Sequence, residues 1–259
     1  MNHYDDEENI IRLLQSTEDS QICFANFSFG LSRFFNSIYK ENLFGAWINS
    51  SGKNDVPPDF FSPNYRYMLE VMRVDDYVLA ENSPNVLESK FVKNIENMLR
   101  AKGVSSIKES NIELLVIPDM SKASENNYGT YVENFKRIVN KHLSKIDQYR
   151  CNHPGYKLGF LIFDEAPAYL RVEHSSTKPK AGQLIQGYPH LLFQDKNFME
   201  IFLNYDLDYI IWMTPYKNTA ENPRLYPLVM VIDLKKYKKS KMQFIEYKDV
   251  EMQCLEVEK

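Results

Sequence analysis

The run RYMLEVMRV, at residues 66–74, is the feature of the sequence that most restricts the fold. Successive side chains of a strand point to opposite faces, and both faces of this run are largely apolar. Strands of that kind are typical of a sheet that helices cover on both sides. The run therefore predicts a central strand with Glu70 in its middle, where a carboxylate is costly to bury without a partner.

Other apolar runs alternate with helical patterns along the 259 residues. After a short acidic helix at the N-terminus, the patterns predict helices at about 24–42, 87–102, 128–149 and 197–204. They predict strands at 44–49, 66–74, 112–117, 157–163, 209–213 and 228–232. Strands that alternate with helices indicate an α/β fold with a mixed or mostly parallel central sheet flanked by helices.

We find no internal repeat, low-complexity linker or change of composition that would divide the chain. Residues 1–259 are therefore predicted to form a single α/β domain. Within it, residues 171–189 are interpreted as a long irregular connection, and the charged tail from Lys235 onward is expected to be peripheral.

The balance of charge and the cysteine pattern restrict the function classes. The formal net charge is −4, from 31 basic and 35 acidic residues, so contact with DNA or RNA requires a local patch. No stretch has the ~18 consecutive apolar residues of a membrane helix, and the acidic N-terminus lacks the pattern of a signal peptide. Three widely spaced cysteines are typical of reduced thiols. We therefore expect a cytoplasmic protein without membrane association.

The segment PPDFFSPN suggests a partner for the acid in the central strand. Asp59 precedes Glu70 by eleven positions, and the Ser-Pro-Asn sequence at 62–64 is typical of a tight turn. A short strand through Phe60 would bring Asp59 beside Glu70. Two carboxylates in a dehydrated pocket suit Mg²⁺, which prefers oxygen ligands and activates water for phosphodiester hydrolysis.

Pro58-Asp59 followed by Glu70-Val71-Met72 resembles the motif of the PD-(D/E)xK nuclease superfamily. The resemblance implies a restriction-endonuclease-like core at residues 1–118, in the order helix, three strands, helix and strand, with an α/β extension at 119–259. It also implies nucleic acid as the substrate, with Asp59 and Glu70 as catalytic residues and Mg²⁺ ligands. A glutamate of the leading helix, Glu8 or Glu7, would be a third ligand.

The chain departs from this motif at Met72, which stands where the family has a lysine. Arg73 is the next residue and is a further candidate, but it is expected to face the opposite side of the strand. The lysine role would then fall to another residue, for instance Lys90, Lys93 or Lys102 of the helix predicted at 87–102. Alternatively, the site binds without cutting, or the resemblance is accidental.

The second hypothesis is therefore a non-catalytic α/β module that binds a protein partner. The absent lysine, the acidic net charge and the 17 tyrosines and 16 phenylalanines favour it, since aromatic residues are enriched at protein interfaces. In that case Glu70 is a structural acid, paired for instance with Arg33, Arg66 or Arg100.

Several acidic residues follow predicted strands and form a second group of candidates. Asp75 and Asp76 follow the central strand, and Asp164 and Glu165 follow the strand at 157–163. Because ligands collect at the carboxyl ends of parallel strands, Asp164 would share a ligand-binding rim with Asp119 and Asp233, which end two other strands. The alternative is that these acids begin turns. The basic side of the helix at 128–149, which includes Lys145, is expected to be solvated.

Overall fold

A computed structural model describes residues 7–50, 58–74, 127–172, 187–217, 226–240 and 243–255. Its strands are β1 (Ile22–Phe24), β2 (Ile48–Asn49), β3 (Phe60–Ser62), β4 (Tyr67–Val74), β5 (Lys157–Asp164), β6 (Tyr169–Arg171), β7 (Tyr188–Pro189), β8 (Tyr209–Met213), β9 (Val229–Asp233) and β10 (Met252–Cys254). Its α-helices are α1 (Glu7–Ser16), α2 (Phe29–Tyr39), α3 (Glu41–Phe44), α4 (Tyr128–Leu143), α5 (Ile146–Asn152), α6 (Lys196–Met199) and α7 (Leu234–Lys239).

Seven of these strands form one mixed sheet in the order β1-β9-β8-β5-β4-β3-β2. The centre is parallel, since β4 pairs with β5 and β5 pairs with β8 in that sense. On one side, β4, β3 and β2 form an antiparallel meander. On the other, β9 runs antiparallel to β8 and parallel to β1. The prediction of an α/β fold with a mixed or mostly parallel sheet is confirmed in its first form, a mixed sheet with a parallel centre, and the sheet contains strands from both halves of the chain.

Helices cover both faces of the central strand, as its two apolar faces predict. Met68 and Met72 pack in a core with residues of α4 and α5, whereas Leu69 and Val71 pack in a second core with residues of α1 and α2. Glu70 shares the strand face of the two methionines. The acid therefore points towards α4 and α5.

Helix α2 is shorter than the helix predicted at 24–42. Ser28 caps it, because its side chain accepts a hydrogen bond from the backbone N–H of Leu31. Phe24 instead lies in β1, the edge strand. The apolar stripe of α2, formed by Leu31, Phe34, Phe35 and Ile38, is buried. It contacts the sheet closely, since a Cβ atom added to Gly159 would lie 2.1 Å from Cζ of Phe34.

The predicted helix at 128–149 is divided into α4 and α5. The apolar stripe continues across the break, which is why periodicity alone did not reveal it. Lys145 becomes the residue that precedes α5. The predicted strand at 44–49 is reduced to β2, because Phe44 ends α3, and the helix predicted at 197–204 consists of α6 and a 3₁₀ turn at Glu200–Phe202.

The charged tail is not peripheral, which corrects the prediction for residues beyond Lys235. Tyr237, Tyr247 and Met252 are buried in the core of α4 and α5. Strand β10 pairs with β6, and β6 pairs with β7, which gives a second sheet of three strands. Lysines alternate with aromatic residues in this segment, so its sequence did not indicate an apolar face.

Several predicted features lie outside the described residues. They are the helix at 87–102, the strand at 112–117, and the individual residues Asp75, Asp76, Lys90, Lys93, Arg100, Lys102 and Asp119. In the part of the chain that the structure describes, no helix is both long and apolar enough to cross a membrane. The three cysteines are free thiols.

Candidate functional site

The structure brings Asp59 and Glu70 together on neighbouring strands. Phe60 is opposite Leu69 in the antiparallel register of β3 and β4, which places the residue before β3 opposite Glu70. The backbone N–H of Asp59 donates to Oε2 of Glu70 over 3.3 Å. In return, the backbone N–H of Val71 donates to Oδ2 of Asp59 over 2.8 Å. Reciprocal hydrogen bonds therefore hold the two acids side by side.

Glu70 is 2% exposed, and two residues of the helical layer hold its other oxygen. Nδ1 of His142 lies 2.6 Å from Oε1, and the hydroxyl of Tyr149 donates to the same oxygen over 2.7 Å. Nζ of Lys145 is 4.0 Å from it. Of the arginines considered from sequence, Arg66 instead donates to the carbonyl of Pro154, and Arg33 is exposed on α2, on the other face of the sheet. Arg100 is outside the described residues.

Burial, and then the neighbouring Glu70 carboxylate, raise the pKa of Asp59 from 3.8 to about 7. The hydrogen bond from Val71 and the charge of Lys145 oppose this rise without cancelling it. Burial also raises the pKa of Tyr149, with Glu70 as the second cause, so that this hydroxyl remains a hydrogen-bond donor. A bound cation would therefore reduce the repulsion between the Asp59 and Glu70 carboxylates.

The two glutamates of the leading helix, Glu7 and Glu8, differ in their effect on this pair. The charge of Glu7 is among the causes that raise the pKa of Asp59. Glu8 is exposed, accepts a hydrogen bond from Asn49 over 2.6 Å, and lies 3.9 Å from Arg12 in the next turn of α1. Of the two glutamates, Glu7 is therefore the one whose charge reaches the acids.

Met72 and Arg73 lie where the alternation of the strand predicts. Met72 fills the core below α4 and α5, so the motif position that a lysine would occupy is apolar. Arg73 forms a two-point ion pair with Glu165, with 3.1 and 2.7 Å between their atoms. Arg73 and Glu165 are therefore joined to each other across the carboxyl ends of β4 and β5.

Asp164 is fully buried and surrounded by donors. Nζ of Lys217 lies 3.2 Å from its Oδ2, Nε1 of Trp212 donates to the same oxygen over 3.0 Å, and the hydroxyl of Tyr131 also donates to it. The N–H of Ala166 donates to Oδ1. Such a carboxylate, with both oxygens engaged by interior groups, has the character of a structural ion pair.

The predicted rim of acids at the carboxyl ends of parallel strands is wrong for its two described members. Strand β9 runs antiparallel to β8, so Asp233 pairs with Tyr209 at the beginning of that strand, whereas Phe163 pairs with Met213 at its end. Asp164 and Asp233 therefore lie at opposite ends of the strands, one beyond the carboxyl end of β8 and the other beside its beginning. Asp233 caps α7, since its side chain accepts from the N–H of Lys236.

Sequence reasoning missed the partners of Glu70 on the helical layer. His142 and Tyr149 are seven positions apart, which is two helical turns, and they flank the break between α4 and α5. Lys145 lies between them and was interpreted as part of a solvated face. The seven-residue spacing of His142 and Tyr149, beside the apolar stripe of the helices, is the sequence signal for their contact with Glu70.

The resemblance implies a metal ion, which needs several oxygen donors from the protein, water and substrate. Among the described residues, no group of three or more histidine, cysteine, aspartate or glutamate side chains is arranged to hold a metal ion. The two carboxylates nevertheless provide the oxygen donors that Mg²⁺ takes from a protein, which are often only one or two, with water and substrate phosphate completing the shell. The chemistry of the donors therefore suits a hard cation, and both oxygens of Glu70 already accept hydrogen bonds within the protein.

Comparisons with known proteins do not assign the chain to a class. It matches no protein-family model, and neither a curated protein nor a solved structure shows significant similarity to it. The function therefore has to be argued from the geometry of the site.

Proposed function

We propose that this chain is a metal-dependent nuclease that acts on the phosphodiesters of nucleic acid, with Asp59 and Glu70 at its centre. The observation that carries the proposal is the adjacency of the two carboxylates, in which the pKa of Asp59 is raised to about 7. Strained pairs of acids are more frequent at functional sites than in structural networks, where a nearby cation normally lowers the pKa.

The order of elements around the pair supports a restriction-endonuclease-like arrangement. A leading helix, α1, is followed by β1, α2 and α3 and then by the meander of β2, β3 and β4. Helices α4 and α5 and the strand β5, which is parallel to β4, come after residues 75–126, which are outside the described residues. The resemblance noted from Pro58-Asp59 and Glu70 calls for a helix, three strands, a helix and a strand, and the described elements contain this series with β1, α2 and α3 inserted after α1. The final strand of this set is β5, however, and it begins at residue 157 rather than within residues 1–118.

Each residue near the pair has a definable role in this proposal. Asp59 and Glu70 would hold Mg²⁺, which when bound supplies a polarised phosphate and an activated water. His142 and Tyr149 fix the orientation of Glu70, as partners of ligating carboxylates commonly do. Lys145 provides a positive charge near the carboxylates. It would replace the motif lysine, whose position Met72 occupies in this chain.

A cleavage assay tests the proposal. Labelled single-stranded DNA, duplex DNA and RNA are incubated with the full chain and Mg²⁺, Mn²⁺ or EDTA, and products are resolved by electrophoresis. We expect metal-dependent cleavage that Glu70→Gln and Asp59→Asn each reduce by about 100-fold or more. Glu165→Gln is the matched control, because this acid is bound to Arg73. Absence of cleavage by folded wild-type protein contradicts the proposal.

A second candidate function is a non-catalytic module that binds a protein partner. It is favoured by the full engagement of Glu70, whose two oxygens already accept hydrogen bonds from Asp59, His142 and Tyr149. This reading predicts that Mg²⁺ leaves the melting temperature unchanged and that the chain elutes with a protein partner in size-exclusion chromatography. A rise of the melting temperature in Mg²⁺ that Glu70→Gln abolishes argues against it.

A further inference from the structure

A patch of exposed aromatic and basic residues lies where the beginning of α2 meets α7. Phe27 is 58% exposed and Phe29 is 83% exposed, and their rings are in edge-to-face contact with centroids 6.4 Å apart. Two neighbouring phenylalanines at such exposure are unusual, because burying a phenylalanine side chain stabilises a fold by about 1.5–3 kcal/mol. This pair is the apolar part of what we call the aromatic–basic patch.

The remaining members of the aromatic–basic patch are cations. Nζ of Lys236 donates to the carbonyl of Phe27 over 2.7 Å, and a shallow groove of about 430 Å³ beside Phe27 is lined by Lys236 and Lys239. Arg33 is exposed one turn after Phe29 on α2, so their side chains are neighbours. Nζ of Lys157 lies beside Gly30, 3.3 Å from the position that a Cβ atom would take there.

Among the described residues, the acids near this set, Asp233 and Asp208, are already bonded to the protein; Asp208 is 2% exposed and paired with Arg150 and Lys235. Oδ2 of Asp233 accepts from the hydroxyl of Ser28 over 2.5 Å, and Oδ1 accepts from the N–H of Lys236. Asp233 is also 7% exposed. The patch is therefore locally basic on a chain whose net charge is −4, which is the condition that contact with nucleic acid requires here.

We propose that the aromatic–basic patch binds single-stranded nucleic acid. Unpaired bases stack on exposed aromatic rings in a way that tolerates any sequence, and lysine and arginine beside the rings neutralise the phosphates. A protein partner fits less well, because lysine is depleted from protein interfaces. A duplex fits less well because its bases are already stacked on one another.

This inference rests on the proposed function and specifies single-stranded nucleic acid as the substrate class. Phe27 and Phe29 of the patch follow β1, and β9, β8 and β5 separate β1 from β4, which carries Glu70. At ~4.8 Å for each step between strands, β1 and β4 are roughly 19 Å apart. The two phenylalanine rings of the patch are therefore an anchoring surface remote from the acids, whereas Lys157 begins β5, next to β4, and binding to the rings is separable from cleavage.

The test is fluorescence anisotropy with a labelled 20-nucleotide single strand, as DNA and as RNA, and with the matching duplex, all in EDTA. The wild-type chain is expected to bind the single strands more tightly than the duplex, with an affinity that falls as salt rises. Phe29→Ala is expected to weaken binding by about 10-fold or more, since one stacked base contributes that much. Lys239→Ala is expected to weaken it less and to reduce the salt dependence.

Two controls keep the outcomes distinct. Tyr188→Ala removes an aromatic ring that is 70% exposed on β7, in the other sheet, and is expected to bind like the wild type. All binding is measured in EDTA, where metal-dependent cleavage does not occur, so failure of the nuclease proposal does not affect this result. The inference is overturned if folded wild-type protein does not bind the single strands, or if Phe29→Ala and Tyr188→Ala bind them equally well.

Discussion

At the scale of single residues, the pair of acids has a cost that a purely structural arrangement would avoid. The pKa of Asp59 is raised to about 7, so the folded chain binds a proton more tightly than the unfolded chain does. The stability that this proton contributes is complete below the unfolded pKa of 3.8 and is lost as the pH rises to about 7. Above that pH, repulsion between Asp59 and Glu70 opposes folding.

Asp59→Asn is therefore expected to stabilise the protein at pH 8. The amide oxygen can still accept from the N–H of Val71, while the repulsion of Glu70 is removed. One pKa unit corresponds to about 1.4 kcal/mol, and partial exposure reduces the effect, so we expect a gain of about 1–2 kcal/mol. Urea unfolding at pH 8 and at pH 3.5 measures it. Equal effects at both pH values, or a loss of stability at pH 8, would show that Asp59 is a structural acid.

Lys145 tests whether the lysine role has moved from the strand to the helical layer. Its charge lowers the pKa of Asp59, so Lys145→Met is expected to move the midpoint of the pH–rate profile to higher pH. We also expect the rate of cleavage to fall by about 10-fold or more. Lys141→Met, an exposed lysine one turn earlier, is the control. An unchanged pH midpoint in Lys145→Met would remove Lys145 from the site.

How far the site was predictable from sequence depends on the range of each contact. Asp59 and Glu70 were predictable together, because a short hairpin and the alternation of a strand fix their relation locally. The contacts of Glu70 with His142 and Tyr149 cross 72 and 79 positions, and no local pattern encodes them. The prediction of a rim shared by Asp164 and Asp233 was wrong because the direction of a strand is set by its pairing, which the apolar runs do not reveal.

At the scale of elements, close packing of α2 on the sheet defines the layer opposite the site. The Phe34 ring lies over Gly159 of β5, where a Cβ atom would be 2.1 Å from Cζ. Neither element can shift to make room without disturbing β5, which pairs with β4 along its full length. The position of β5, and with it that of the central strand, thus depends on the absence of a side chain at Gly159.

Gly159→Ala is expected to destabilise the protein by about 2 kcal/mol or more, as overpacked cores typically are. Gly45→Ala is the matched control, because nothing lies within 4 Å of the added Cβ atom there. We expect that variant to remain within about 0.5 kcal/mol of the wild type. Thermal unfolding of the two variants side by side gives the comparison, and similar melting temperatures would contradict the close contact with Phe34.

Elements with one dominant period were predicted well, and those with interruptions were not. Strands β4, β5 and β8 have continuous apolar runs, and their predicted ranges were right to within one residue. Helix α2 was predicted too long because the cap at Ser28 interrupts an aromatic stripe that begins in β1. The break between α4 and α5 was missed because the apolar stripe passes through it.

At the scale of the whole molecule, the sheet joins the two halves of the chain. Strand β4 pairs with β5 from Tyr67 opposite Lys157 to Val74 opposite Asp164. A fragment of residues 1–118 would lack β5 and the helices that cover Glu70. We expect this fragment to show no cooperative unfolding transition, whereas the full chain unfolds in one. Cooperative melting of the fragment, followed by circular dichroism, would instead identify it as an independent core.

The central claim is that Asp59 and Glu70 are held together in order to bind a hard cation. Calorimetric titration of Mn²⁺ and Mg²⁺ into the full chain at pH 6.5, in two buffers of different ionisation enthalpy, tests it most directly. The account predicts binding with release of a proton from Asp59, tighter binding at pH 8, and loss of binding in both Asp59→Asn and Glu70→Gln. Folded wild-type protein that binds neither ion, or binds both equally well after these substitutions, would contradict it.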